Sequence, residues 1–217
     1  MNLHGEKVAG ILLAAGASTR MGAIKQLLPI EGGTLLGRVI CEALSSDLDK
    51  VILVLGYEAN EIRKSLGNIL AHPKLKVIEN KRYREGISTS IIAGLSKVKD
   101  TYHHVMILLG DMPAITSALI NLLLRRFFDS RLPIGAISIK GERSHPVIFG
   151  RIFYPELNAL RGDIGARALF EKYPDRVCFV EPEQYFDDRD IDTPDDYLEF
   201  RSTLSCQTTK IDNNEHQ

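Results

Sequence analysis

Two stretches of this 217-residue chain carry residue types suited to phosphate chemistry. The first reads L-A-A-G-A-S-T-R-M-G-A-I-K, from Leu13 to Lys25. Glycine lets a backbone approach phosphate oxygens closely, and successive N–H groups form an anion-binding concavity. Gly16 and Gly22 fit that use, Ser18 and Thr19 add hydroxyl donors, and Arg20 and Lys25 supply positive charge. Arginine grips phosphate oxygens bidentately, whereas lysine acts as a point charge. The pattern is neither G-x-x-x-x-G-K-[ST] nor G-x-G-x-x-G, which disfavours a Walker-type ATPase and a dinucleotide-dependent dehydrogenase. A solvated glycine loop with idle cations is the rival reading.

The second stretch, H-H-V-M-I-L-L-G-D, ends on Gly110 and Asp111, with Pro113 just beyond. A carboxylate directly after a buried strand is held rigidly, and Mg²⁺ takes one or two carboxylates beside water and substrate phosphates. Capping of the following helix by Asp111 is an equal rival. A cationic glycine loop and a metal-suited carboxylate on one sheet edge supply charge neutralisation and alignment. Phosphoryl and nucleotidyl transfer require both.

The elements that must bring these stretches together are legible as alternating strands and helices. Val8–Ala14 is apolar throughout, the mark of a strand covered on both faces. A helix follows with Thr34 as N-cap, then a strand over Lys50–Leu55 and a helix over Glu58–Leu70. A third strand spans 74–80, and Ser88 or Ser90 opens the next helix. The strand His103–Asp111 precedes a helix starting near Thr116. In the second half, 133–140 and 145–150 read as antiparallel strands about a turn at Gly141. Residues 162–173 read as a helix, 176–181 as a strand, and 193–204 as a last helix with Thr193 as N-cap and Pro194 at its first position. The expected fold is α/β: a Rossmann-like, doubly wound, mostly parallel sheet with an antiparallel excursion in the second half. One domain is expected over 1–205, with a disordered polar tail over 206–217. In such sheets ligands bind beyond the carboxyl ends of the strands, which selects the loop after Ala14 and the Gly110–Asp111 corner.

Composition limits the function classes. Lys plus Arg number 27 and Asp plus Glu 28, a net charge of −1 that argues against a nucleic-acid binder. Cys41, Cys178 and Cys206 are too scattered for a disulfide framework or a zinc knuckle. The longest apolar runs are strand-sized and the N-terminus carries an acid, so neither a membrane span nor a signal peptide is expected, and the chain reads as cytoplasmic.

Four motifs in order, L-A-A-G-A-S-T-R-M-G-A-I-K, L-L-G-D-M-P, S-H-P-V-I-F and D-I-D-T-P-D-D, resemble the molybdenum-cofactor nucleotidyltransferases. The chain looks most like their CTP:molybdopterin cytidylyltransferase branch. The resemblance implies a Rossmann-like nucleotidyltransferase fold, Mg²⁺ dependence, CTP and molybdopterin as substrates, and a molybdenum hydroxylase as recipient of the product. It places the nucleotide on Ala14, Ala15, Gly16, Ser18 and Arg20, its phosphates on the Gly16 to Arg20 loop, with Lys25 at the transferring α-phosphate. Gly86 and Ser88, in E-G-I-S-T-S, fall on the base and ribose side. Guanylyl-transferring relatives usually read L-A-G-G where this chain has Ala15, and the extra methyl narrows the base space towards a pyrimidine. Asp111 matches the family's metal-binding aspartate. Asp190 and Asp192 resemble its second acidic site, with Asp192 the better placed and helix capping the rival. On the acceptor side the resemblance points to His145, Asp163 and Arg167. Ser144 stands where relatives often have Gly, and a structural histidine is the rival reading of His145. The alternatives are GTP with the same acceptor, CTP with another phosphorylated small molecule, and a non-catalytic cofactor carrier.

Overall fold

The computed structural model describes residues 5–30, 32–184 and 186–212, with side chains of the last helix through Thr203. β1 (Val8–Ala14) is buried along its whole length. Its alternate residues feed two cores, Val8, Leu12 and Ala14 on one face and Ala9, Ile11 and Leu13 on the other. That is why no polar residue interrupts it. A short hairpin, β2 (Pro29–Ile30) and β3 (Gly33–Thr34), leads into α1 (Leu35–Ser45), β4 (Lys50–Leu55), α2 (Ala59–Leu66) and β5 (Leu75–Glu79). Next come α3 (Ile87–Leu95), β6 (His104–Leu109) and α4 (Ser117–Ser130). The second half contains β7 (Ile134–Ile139), β8 (Glu142–Gly150), α5 (Tyr154–Ala159), α6 (Arg167–Lys172), β9 (Val177–Val180) and α7 (Pro194–Asp212).

Seven of these strands form one sheet in the order β5-β4-β1-β6-β8-β7-β9. β5, β4, β1 and β6 are parallel, β8 runs antiparallel to β6 and β7, and β9 is parallel to β7. This is the expected doubly wound sheet with its antiparallel excursion. Helices α1, α2 and α4 cover one face, and α3, α5 and α6 the other. Among the described residues no helix is long and apolar enough to cross a membrane.

Several element boundaries differ from expectation for local reasons. Thr34 caps as expected, accepting from Gly37 N at 3.1 Å, and Thr116 caps the helix expected near it, accepting from Leu119 N at 3.2 Å. α3, however, opens at Ile87 rather than at Ser88 or Ser90, and its first N–H is satisfied by Asp163 Oδ1 at 3.1 Å. A remote carboxylate does the work assigned to a local hydroxyl. α2 stops at Leu66, because Gly67 takes φ +51 and the chain tightens into a 3₁₀ turn to Ala71. Gly162 and Gly165, at φ +63 and +59, exclude a helix before Arg167. The tail expected from residue 206 begins inside α7, whose backbone stays helical to Asp212, there being no Gly or Pro after Pro194 to stop it. Residues 213–217 lie outside the described residues.

Candidate active site

β1 and β6 end side by side, with Leu13 paired to Leu109. Gly110 N then donates to Leu13 O at 2.9 Å, so the glycine loop and the Asp111 corner leave the sheet at one edge. A Cβ at position 110 would lie 3.0 Å from both Leu13 O and a Leu36 methyl, so the turn favours glycine.

The loop after Ala14 is shaped from within. Gln26, only 2% exposed, donates from Nε2 to Gly16 O at 3.1 Å and to Ala14 O at 3.4 Å. Ser18, in left-handed backbone at φ +51, accepts from Lys25 N and donates to Gln26 Oε1, each at 3.4 Å. Its hydroxyl is thus engaged inside the loop as well as facing the cleft. Sequence reading passed over Gln26, whose position next to Lys25 was the available signal.

The acidic segment is brought in by an apolar anchor. Ile191 is 2% exposed and packs with Ile30, Leu35 and Phe200. Its N–H donates to Asp111 O at 2.9 Å. With Ile191 turned inward, Asp190 and Asp192 on either side of it face the cleft. The cap of α7 comes from other residues: Asp196 N donates to Thr193 Oγ1 at 3.2 Å, while Asp196 Oδ2 accepts from Thr193 N at 2.7 Å and Asp192 N at 3.1 Å. The stretch D-I-D-T-P-D-D thus does cap the helix, through Thr193 and Asp196, while the Asp190 and Asp192 carboxylates take no part in the cap.

One oxygen from each of Asp111, Asp190 and Asp192 lies within 4.8 Å of the others. Lys25 Nζ donates to Asp111 Oδ2 at 2.5 Å and Asp192 Oδ1 at 2.8 Å, and Arg20 Nη2 donates to Asp192 Oδ2 at 2.5 Å. Burial alone would depress the Lys25 ammonium, but the charges and hydrogen bonds of Asp111 and Asp192 outweigh it and hold its pKa above the ordinary lysine value. Lys25 is therefore a fixed cation and not a base. Burial opposes ionisation of Asp192, yet Lys25 and Arg20 bring its pKa below the usual carboxylate range. Asp190 is displaced upwards by burial and by the neighbouring Asp192 and Asp111 charges. Three carboxylates against two cations leave one net negative charge on an all-oxygen donor set, which suits a hard divalent cation. Asp190, ranked behind Asp192 in the sequence, belongs to this cluster on equal geometric terms.

Ala14, Ala15, Gly16, Ser18, Arg20, Lys25, Asp111 and Asp192 all line one cleft of about 370 Å³. Gly86 and Ser88 flank a wall that Tyr83, Ile87 and Ser90 line directly. Ser88 is 1% exposed and points into the protein. Gly86, at φ +107, is required by packing, since a Cβ there would lie 2.3 Å from the Gly162 carbonyl carbon. Gly86→Ala is accordingly expected to destabilise the protein by about 2–4 kcal/mol in urea unfolding. An unchanged midpoint would contradict the packing.

The three acceptor-side candidates line a smaller adjoining cavity of about 100 Å³. Asp163 shares both cavities and is held to Ile87 N. Arg167 Nε pairs with Glu171 at 3.2 Å. His145 sits where the β7–β8 register jumps from Val147 to Ser144, at the proline that has no N–H to donate. Burial, reinforced by the Arg143 charge, brings its pKa down to about 4, so its ring is neutral at pH 7.

Residues 10–177 match the MobA-like NTP transferase domain. The chain belongs to that family. As a MobA-like NTP transferase it is a nucleotidyltransferase, and the matched span holds the glycine loop and Asp111 but ends before Asp190 and Asp192. It is 31% identical over 195 residues to the molybdenum cofactor cytidylyltransferase of Escherichia coli K12, covering 87% of this chain and 92% of the relative. It is 28% identical to the nicotine blue oxidoreductase of Paenarthrobacter nicotinovorans, covering 86% and 92%. Among solved structures, Rv0371c of Mycobacterium tuberculosis H37Rv in complex with manganese superposes with a TM-score of 0.73 at 28% identity, covering 90% of this chain and 98% of that one.

Proposed function

We propose that this MobA-like NTP transferase transfers CMP from CTP to the phosphate of molybdopterin, releasing pyrophosphate, with Mg²⁺ as its metal. The observation that carries the reading is the convergence of Arg20, Lys25 and three carboxylates at the mouth of a glycine loop on the carboxyl edge of the sheet. The loop from Ala14 to Arg20 receives the triphosphate. Lys25 reaches the α-phosphoryl oxygens, and Arg20 the departing pyrophosphate. An acceptor phosphate oxygen attacks the α-phosphorus in line; the new P–O bond forms as the α–β bridging P–O bond breaks, and the electron pair leaves with pyrophosphate. No protein base is needed, because a phosphate monoester is already ionised at pH 7. Asp111, Asp190 and Asp192 hold Mg²⁺, which when bound neutralises charge on the nucleotide phosphates.

Ala15, 6% exposed and on the cleft wall, supports a pyrimidine over a purine, as does the 31% identical cytidylyltransferase. On this reading 1–205 is one nucleotidyltransferase domain acting in the cytoplasm, and a molybdenum hydroxylase takes the product. Thermal shift tests the nucleotide choice. CTP with Mg²⁺ at a hundred times its Kd is expected to raise Tm by about 5–10 °C, with GTP and ATP giving little. Stabilisation by GTP alone would overturn the Ala15 argument. Pyrophosphate release that depends on both CTP and molybdopterin tests the reaction itself.

A further inference from the structure

Beyond Asp163 the nucleotide cleft opens into the smaller cavity, the two sharing Leu13, Ile87, Leu109 and Asp163 but neither Lys25 nor Asp111. Its outer wall is cationic. The Arg143 guanidinium lies 4.9 Å from the Phe170 ring centroid, and among the described residues it makes no ion pair. Arg167 lines the same cavity, and both it and its carboxylate partner, Glu171, are largely exposed. Burial lowers the Arg143 pKa and the Arg167 charge lowers it further, while the Glu171 carboxylate relieves part of that repulsion. His145, on the same wall, is neutral and adds no charge. Ile164, 67% exposed at the rim, offers an apolar edge.

Two guanidiniums against the single Glu171 carboxylate keep a net positive charge, which a further anion can neutralise. The planar forks of two arginines match the oxygens of a phosphate-like or carboxylate group. Asp163 spends Oδ1 on Ile87 N, which leaves Oδ2 to accept from a donor on the same molecule.

We propose that Arg143, together with Arg167, forms an anion subsite that selects acceptors carrying a second anionic group, distinct from the phosphate that attacks the nucleotide. Because this subsite touches neither Lys25 nor the acid cluster, it binds and orients the acceptor without entering the bond-making step. A molecule spanning both cavities places one anion at Arg143 and Arg167, a hydrogen-bond donor at Asp163, and its attacking phosphate in the main cleft. The acceptor's part in this inference rests on the transfer reading above, but the anion site itself does not.

The probe is inorganic phosphate, titrated by ³¹P NMR into the full chain without nucleotide or acceptor. A site that survives in Lys25→Ala and weakens at least fivefold in Arg143→Gln and in Arg167→Gln is the expected result. Arg143→Lys, which keeps the charge, should retain part of the affinity and guards against misfolding of Arg143→Gln. Phosphate binding lost only in Lys25→Ala, or equal in all variants, overturns the proposal. In steady-state assays Arg143→Gln is expected to raise the KM for molybdopterin at least tenfold, with kcat and the KM for CTP changed less than twofold. A fall in kcat with an unchanged molybdopterin KM would overturn the acceptor role. Should CTP prove the wrong nucleotide, the phosphate titration is unaffected, so the two readings fail separately.

Discussion

Lys25→Ala is expected to lower turnover at least about a hundredfold while leaving the protein folded. Among the described residues the ammonium is the one cation that reaches both Asp111 and Asp192, and its side chain is only 11% exposed, against 70% for Arg20. A fixed charge in so dry a position needs no reorganisation as charge develops on the transferring phosphoryl group. Losing one such preorganised contact typically costs about 3–4 kcal/mol in the transition state, or two to three orders of magnitude in rate. Folding should survive because the carboxylates Lys25 leaves, 23% and 24% exposed, can take up water. Pyrophosphate release under saturating substrates reads the effect, with the thermal midpoint as control. Arginine at this position restores the charge but not the point geometry, so partial rescue is expected. Near-wild-type turnover in purified Lys25→Ala would remove this residue from the chemistry.

The parts of the fold that were legible depend on short-range physics. An unbroken apolar run from Val8 to Ala14 has few uses other than a strand covered twice, and the two cores fed by its alternate residues bear this out. Thr34 sits ahead of helical periodicity and caps as expected, because a cap is a contact across three residues, and the helix expected near Thr116 starts there. What could not be read was set at a distance. α3 starts at Ile87 because Asp163, 76 residues further on, accepts its first N–H. α5, six residues long, and the two-residue strands of the β2–β3 hairpin are too short to show a period.

The site divides in the same way. Its glycine loop and Asp111 were legible because both follow strands, and parallel topology puts such positions on one edge. That Lys25 would neutralise the carboxylates was not legible, since the pairs span 86 and 167 residues. Nor was the equal standing of Asp190 and Asp192. It follows from burial of Ile191 between them, and D-I-D alone does not reveal which residue turns inward. Gly86 and Ser88, expected on the nucleotide side, also answer to packing: one admits the Gly162 backbone, the other is enclosed. A glycine two residues before a serine carries the same signature for either purpose.

Asp111→Asn is expected to abolish turnover by a comparable factor, but with the opposite effect on metal affinity. The substitution is nearly isosteric and keeps the backbone carbonyl that accepts from Ile191 N, so the acidic segment stays in place. It removes one of three clustered carboxylate charges and the acceptor 2.5 Å from Lys25 Nζ. Divalent cations prefer charged oxygen ligands, and Mn²⁺ affinity by electron paramagnetic resonance titration should fall at least about tenfold. Lys25→Ala removes a cation that competes for the same Asp111 oxygen, so Mn²⁺ affinity should rise in that variant. A general loss of folding would weaken binding in both. Opposite shifts in metal affinity, accompanied by loss of turnover in each, require that Lys25 and the metal share Asp111 and that catalysis needs both charges. Parallel shifts would show that Asp111 holds the lysine alone.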